Sequence, residues 1–245
     1  MNFEFDKKML PKPQGEYVLW CDGMGTSQEL HRNLNRATEL VFKIHMAFSA
    51  ATKIVGDVDI YPVMDGMYIT SPNRNIIENI IKEAFKLLAK DFTYAHGTKN
   101  MFMVRGGIAF GPVIHGKHIP QEAFGTYEID QAVKNAILLS PAMVPANRVE
   151  SLAPPFGIYV DDSAKTAPIL ADENDSGFIS NLYQWWRNRE DEELKQLASD
   201  LYQQVKFYLE KAKVHSVGMG YPLDRIEIHA KLALEYFGGL DKPKE

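Results

Sequence analysis

The chain has 245 residues, 45% of them hydrophobic, enough for one α/β core with a small appendage and too few for two full domains. Its net charge of -5 argues against a protein that tracks nucleic-acid phosphates through a basic face, so a small anionic ligand would be met by metals or a few placed cations. No apolar run reaches the ~20 residues of a membrane span, Met1 to Lys8 has no signal-peptide core, and the single Cys21 allows no internal disulfide; a cytoplasmic protein is expected.

Gly15 to Cys21 is a near-continuous apolar run, as suits a strand buried on both faces, and it ends at Asp22-Gly23-Met24-Gly25-Thr26. The two glycines let the backbone turn sharply. Thr26 with Glu29 fits a capping box, and Leu30, Leu34, Ala37, Val41, Ile44 and Phe48 make the apolar face of one long helix. Ile54 to Pro62 and Met67 to Ser71 read as hairpin strands with Met64-Asp65-Gly66 at the tip. Ser71-Pro72 caps a second amphipathic helix that runs to Leu88, and Met101 to Phe110 is a further strand carrying Arg105-Gly106-Gly107. A turn through His115, Lys117 and His118 follows, then a third helix over Ile129 to Leu139, stopped by Pro141. Asp161 to Gly177 reads as a polar loop, Trp185-Trp186 as an aromatic anchor, and Glu192 to Lys213 and Asp224 to Phe237 as helices.

The order strand, helix, strand, strand, helix, strand predicts an α/β (α+β) fold of the ferredoxin-like split βαβ kind over residues 1–160. A helical C-terminal extension over residues 161–245 packs on it. In such a sheet the end of the first strand neighbours the hairpin tip, which brings together Asp22 and Asp65, 43 residues apart. Two carboxylates beside a glycine-rich turn and a helix start suit a hard cation and phosphate oxygens. The rival for the second carboxylate is Asp57, disfavoured because Asp59 and Pro62 interrupt the strand that would follow it.

Tyr17 to Leu139 resembles the class III adenylyl and guanylyl cyclases, in particular the small pyrimidine cyclases of bacterial anti-phage (Pycsar) systems. Tyr17 to Ser27 is similar to the family's first metal strand, and Val63 to Ile69 to its second metal hairpin, with Met64 where the family has glycine. Arg105-Gly106-Gly107-Ile108-Ala109-Phe110-Gly111-Pro112-Val113 is similar to the following strand and is the most specific match.

That resemblance implies two divalent ions, Mn2+ or Mg2+, at Asp22, Gly23 and Asp65. It also implies a phosphate cradle from Gly23, Met24, Gly25, Thr26 and Ser27, with Arg105 as a further phosphate contact, and a homodimer with active sites at its interface. Tyr61 stands where purine cyclases carry the Lys or Glu that reads the base, which favours a pyrimidine, UTP ahead of CTP. The family's later helix supplies an Asn and, one turn on, an Arg that stabilise the transition state from the partner chain. Alignment on Val133 to Leu138 leaves Lys134 as the available cation. The expected activity is conversion of UTP to 3′,5′-cyclic UMP and pyrophosphate, the product signalling to a separate effector in anti-phage defence. The alternatives are a cytidylate or purine cyclase, an inactive nucleotide-binding sensor, and an interaction module acting through the C-terminal helices.

Overall fold

A computed structural model describes residues 4–56, 58–95, 101–168, 178–187, 191–219, 221–238 and 240; Asp57 lies outside them. After a 3-10 turn at Lys7–Met9 come strand β1 (Gln14–Gly23), helices α1 (Thr26–Arg32) and α2 (Leu34–Val55), the hairpin β2 (Asp59–Val63) and β3 (Gly66–Ser71), helix α3 (Arg74–Thr93) and the long strand β4 (Val104–His115). These strands lie in the order β2-β3-β1-β4, each antiparallel to its neighbours, which is the split βαβ arrangement. After β4 come α4 (Gln131–Asn135), β5 (Leu138–Leu139), α5 (Met143–Glu150), β6 (Ile158–Val160), α6 (Asp162–Lys165), β7 (Leu182–Tyr183), α7 (Glu192–Val214), α8 (Ser216–Met219) and α9 (Leu223–Phe237). Strand β6 joins the far side of β4 in parallel, β7 follows it, and β5 pairs with the end of β4.

Strand β1 is buried on both faces, and alternation sends its side chains two ways. Tyr17, Leu19 and Cys21 join Ile44 and Phe48 of α2 and Ile77, Ile81 and Phe85 of α3 in the main core. Val18 and Trp20 face the other side, in a smaller cluster with Tyr61, Ala109, Val113, Ala146 of α5 and Ala142, the N-cap of that helix. The main core continues into the C-terminal helices: Phe85 meets Trp185, and Phe92 meets Tyr208 of α7. Trp185 and Trp186 are both buried there, as expected of an anchor.

Five local expectations are corrected. The single long helix is two, broken at Asn33, whose side chain caps α2 by accepting from Arg36 N at 3.1 Å. No capping box forms at Thr26: Gly25 is the N-cap with φ +83°, and the Thr26 hydroxyl instead donates to Gly23 O at 2.9 Å. Ile54 and Val55 finish α2, so the second strand begins only at Asp59. The helix expected over Ile129 to Leu139 is a single turn, α4, followed by the short strand β5. Of the stretch read as a polar loop, Asp162–Lys165 is a helical turn, and residues 169–177 lie outside the described ones.

Candidate active site

Asp22 sits one residue from the end of β1, directly opposite Gly66 of β3 on one side and Arg105 of β4 on the other. Period-2 alternation puts its side chain on the face of Val18 and Trp20, the face that α5 covers. Asp65 reaches the same place from the β2–β3 turn. Val63 pairs with Gly66, leaving Met64 and Asp65 as a two-residue loop, and Met64 has φ 51°. Positive φ at the first central residue is the pattern of a type II′ hairpin turn, where glycine is the favoured residue. Met64 adopts this conformation at some cost.

Beside these two aspartates stands a carboxylate that the sequence reading missed. Glu150, the last residue of α5, is buried, accepts from Arg105 Nε and hydrogen-bonds Asp22. Helix α5 comes this close because Gly107 presents bare backbone. A Cβ there would overlap the carbonyl oxygen of Ala146 and lie 2.8 Å from Glu150 N. The signal was present in Ala142, Ala146, Val149 and Glu150, which share one side of a helix by their 4-3-1 spacing. Its meaning depended on Arg105, 45 residues away.

Burial first, and then the negative charge of Glu150, push the Asp22 carboxyl up to about 8. Arg105 opposes the shift, while Asp65 and the hydrogen bond with Glu150 add to it. Asp22 therefore holds a proton at neutral pH when nothing else offsets the local negative charge. Burial, Asp22 and Glu150 also raise the thiol of Cys21, an inert packing residue as its place in the strand suggested.

This donor set suits a hard divalent cation: carboxylates in excess of the one guanidinium that offsets them, beside a main-chain carbonyl at Gly23. Among the described residues no three His, Cys, Asp or Glu side chains form a closed ligand cluster. The arrangement matches Mg2+ or Mn2+, which take one or two protein carboxylates and complete their shell with water and phosphate oxygens.

Of the residues expected to cradle phosphate, one has its amide engaged. Met24 N donates to Met103 O at 2.8 Å and is not free. Arg105 is a structural ion-pair partner as well as a neighbour of Asp22: besides Glu150, its Nη1 reaches Ser151 O at 3.4 Å and His229 Nε2 at 3.3 Å.

Two residues are not brought to the aspartates of the same chain. Tyr61 is only 4% exposed, and its hydroxyl bonds Nδ1 of His115, whose Nε2 lies 2.9 Å from Glu16. His115 is thus a buried strand residue, whereas the sequence suggested a turn. Lys134 packs against Gly116, beyond the end of β4, roughly 35 Å of strand contour from Arg105. It is buried, with its ammonium 5.9 Å from the Phe124 ring centroid.

No protein-family model matches the chain, and no curated protein matches it. Among solved structures, it is similar to the monomeric guanylyl cyclase domain of the RhoGC fusion protein from the aquatic fungus Blastocladiella emersonii, at 16% identity over 63% of this chain and 86% of that one, TM-score 0.45. It is similar also to an adenylate/guanylate cyclase/hydrolase from Silicibacter pomeroyi, at 18% identity over 63% and 79%, TM-score 0.46. A third is the guanylate cyclase domain of RhGC from Catenaria anguillulae in complex with GTP, at 16% identity over 63% and 82%, TM-score 0.47. At these identities and scores, function has to be argued from the residues of the site itself.

Proposed function

We propose that the chain is a nucleotidyl cyclase that closes a nucleoside triphosphate to its 3′,5′-cyclic monophosphate and releases pyrophosphate. The observation that carries this reading is the convergence of Asp22 and Asp65 from two strands beside a glycine-rich turn, with Asp22 driven to hold a proton that a cation would replace. Asp22 and Asp65, with the carbonyl of Gly23, hold two divalent ions, which when bound lower the barrier to attack by the ribose 3′-hydroxyl and offset charge at phosphorus. Gly25, at φ +83°, turns the main chain into α1 so that Thr26 and Ser27 open a helix beside the carboxylates. Arg105, held by Glu150, adds positive charge next to the phosphates.

UTP is the favoured substrate and cyclic UMP the product, on the ground that Tyr61 takes the base-reading position. His115 fixes the orientation of the Tyr61 hydroxyl. The active unit is a homodimer in which Tyr61 of one chain serves the aspartates of the other, and the product signals to a separate anti-phage effector. For the transition-state cation we replace Lys134 by Arg148. The helix that lies over the sheet after β4 is α5, and the Arg148 side chain on it is 75% exposed, with only a 4.0 Å contact to Asp161. On that assignment the position of the Asn, one turn earlier, falls on Val144, which is exposed.

The test is incubation with each of the four nucleoside triphosphates and Mn2+ or Mg2+, followed by separation of products, for the wild type, Asp22→Asn and Asp65→Asn. Cyclic UMP from the wild type and none from either variant is expected. Full activity in either variant would remove the two-metal reading, and cyclic AMP alone would remove the role of Tyr61. Val144 in place of Asn supports a second reading, a nucleotide-binding sensor without turnover. Tight binding of one triphosphate with no pyrophosphate released from any would establish it.

A further inference from the structure

Arg105 faces away from the aspartates as well as toward them. Behind the β1–α1 turn, a cavity of about 400 Å3 lies between Met24 and Gly25 of that turn and the C-terminal helical segment, including Tyr221, Arg225 and His229. Among the described residues, three arginines line it, Arg36, Arg105 and Arg225, against one acidic residue, Glu29. Burial, Arg105 and Arg225 push His229 down to about 4, so at neutral pH it adds no charge; with Glu29 paired to Arg36 and Glu150 to Arg105, the wall keeps one positive charge in excess, that of Arg225. In a chain of net charge -5 this is a local reversal of sign. Concave walls part polar and part apolar concentrate such a field.

The three arginines are not equivalent. Arg36 pairs with Glu29 at 3.2 Å, and Arg105 pairs with Glu150. Arg225 is exposed and has no carboxylate partner among the described residues, although it lines the cavity. Its fork of donors matches phosphate oxygens in geometry and charge. His229 holds Arg105 in place. A guanidinium cannot accept, so His229 Nε2 accepts from Arg105, which leaves the proton on Nδ1 to be donated to the Tyr221 hydroxyl.

We propose that this cavity is an anion subsite of the phosphate class, walled by the C-terminal helices, in which Arg225 contacts the anion directly and His229 is a positioning residue for Arg105. Its anion is the polyphosphate of the substrate, released as pyrophosphate; that identification rests on the cyclase reading, whereas the anion chemistry rests on the charge of the wall. The extension thereby completes the end of the site that Asp22 begins, Arg105 being the direct strand partner of Asp22.

The experiment is calorimetric titration of inorganic pyrophosphate into the full chain in EDTA, so that no metal carries the anion. Saturable binding is expected. Arg225→Gln should weaken it about tenfold or more, as loss of a charge-assisted contact does, and Arg225→Lys should fall between the two. Arg187→Gln, on an exposed residue outside the cavity, should bind as the wild type does and controls for bulk charge. Nucleoside triphosphate should compete with pyrophosphate. Because Arg225 is exposed, its variants should melt with the wild type, which the same samples can check. The proposal is overturned if the wild type takes up no pyrophosphate, if Arg225→Gln binds it unchanged, if Arg187→Gln weakens it equally, or if triphosphate and pyrophosphate bind independently. Should no triphosphate be cyclised, the cyclase reading fails while the pyrophosphate affinity and its dependence on Arg225 remain measurable.

Discussion

Replacing Glu150 with Gln keeps the shape of the side chain and removes its charge. In the native protein the Glu150 and Arg105 side chains are 9% and 15% exposed, so the ion pair is largely withdrawn from water. Removing one partner of a buried pair costs ~3–5 kcal/mol, because the other charge is left uncompensated. Two features reduce that figure here. Arg105 keeps its contacts with Ser151 O and His229 Nε2, and Asp22 loses its largest repulsive neighbour. A net loss of about 2–3 kcal/mol remains, which for a chain of this size lowers the melting temperature by ~5–10 °C. The assay is thermal unfolding in EDTA at pH 7, with Arg105→Gln and the double variant completing a cycle. The double variant should lose less than the sum of the single losses. Melting of Glu150→Gln within ~1 °C of the wild type would refute the claim that this pair ties α5 to β4.

Four further outcomes follow from the same geometry. Gly107→Ala should destabilise by about 3 kcal/mol, the upper end for overpacking, since its Cβ meets main-chain atoms of α5, which cannot rotate away; chemical denaturation measures it, and a loss below ~0.5 kcal/mol would count against the close seat of α5. Met64→Gly should raise stability by about 1 kcal/mol by relieving the left-handed conformation, and a fall in the denaturation midpoint would contradict it. His229, held near 4 in the folded state against 6.5 unfolded, favours folding fully above pH 6.5 and loses that contribution as pH falls toward 4, by up to ~3 kcal/mol. The melting difference between wild type and His229→Gln should therefore shrink across this range, and a constant difference would exclude the linkage. Because Asp22 is raised to about 8, Mg2+ binding at pH 7 should release close to one proton. Titrations in two buffers of different ionisation enthalpy read this directly, and equal heats in both would show that Asp22 is already ionised.

The parts of the fold readable from sequence were those whose signal is local. An unbroken apolar run ending in Asp-Gly marks β1 and its turn, and Asp-Gly between extended segments marks the hairpin, so Asp22 and Asp65 could be named before their convergence was seen. The break between α1 and α2 could not be read because the apolar spacing runs straight across it. Leu30 and Leu34, which carry the pattern through, are both exposed, so the periodicity there reports no buried face. Strands β5, β6 and β7 span two or three residues each, too short for an alternation to register. Glu150 and the cavity at Arg225 are products of long-range packing: each depends on Arg105, and no spacing rule joins residue 105 to residues 150 and 229.

The seat of α5 on Gly107 bears on how the protein can change. A helix resting on side chains shifts when those side chains are exchanged, whereas one resting on bare main chain is located by the strand itself. The separation between Asp22 and Glu150 is then a property of backbone geometry, insensitive to most substitutions in the surrounding core. The variable elements are those attached to this fixed reference: the β2–β3 turn that carries Asp65 and the C-terminal helices that carry Arg225. Ligand preference can therefore drift, or be engineered, at the rim of the site while its centre keeps its dimensions.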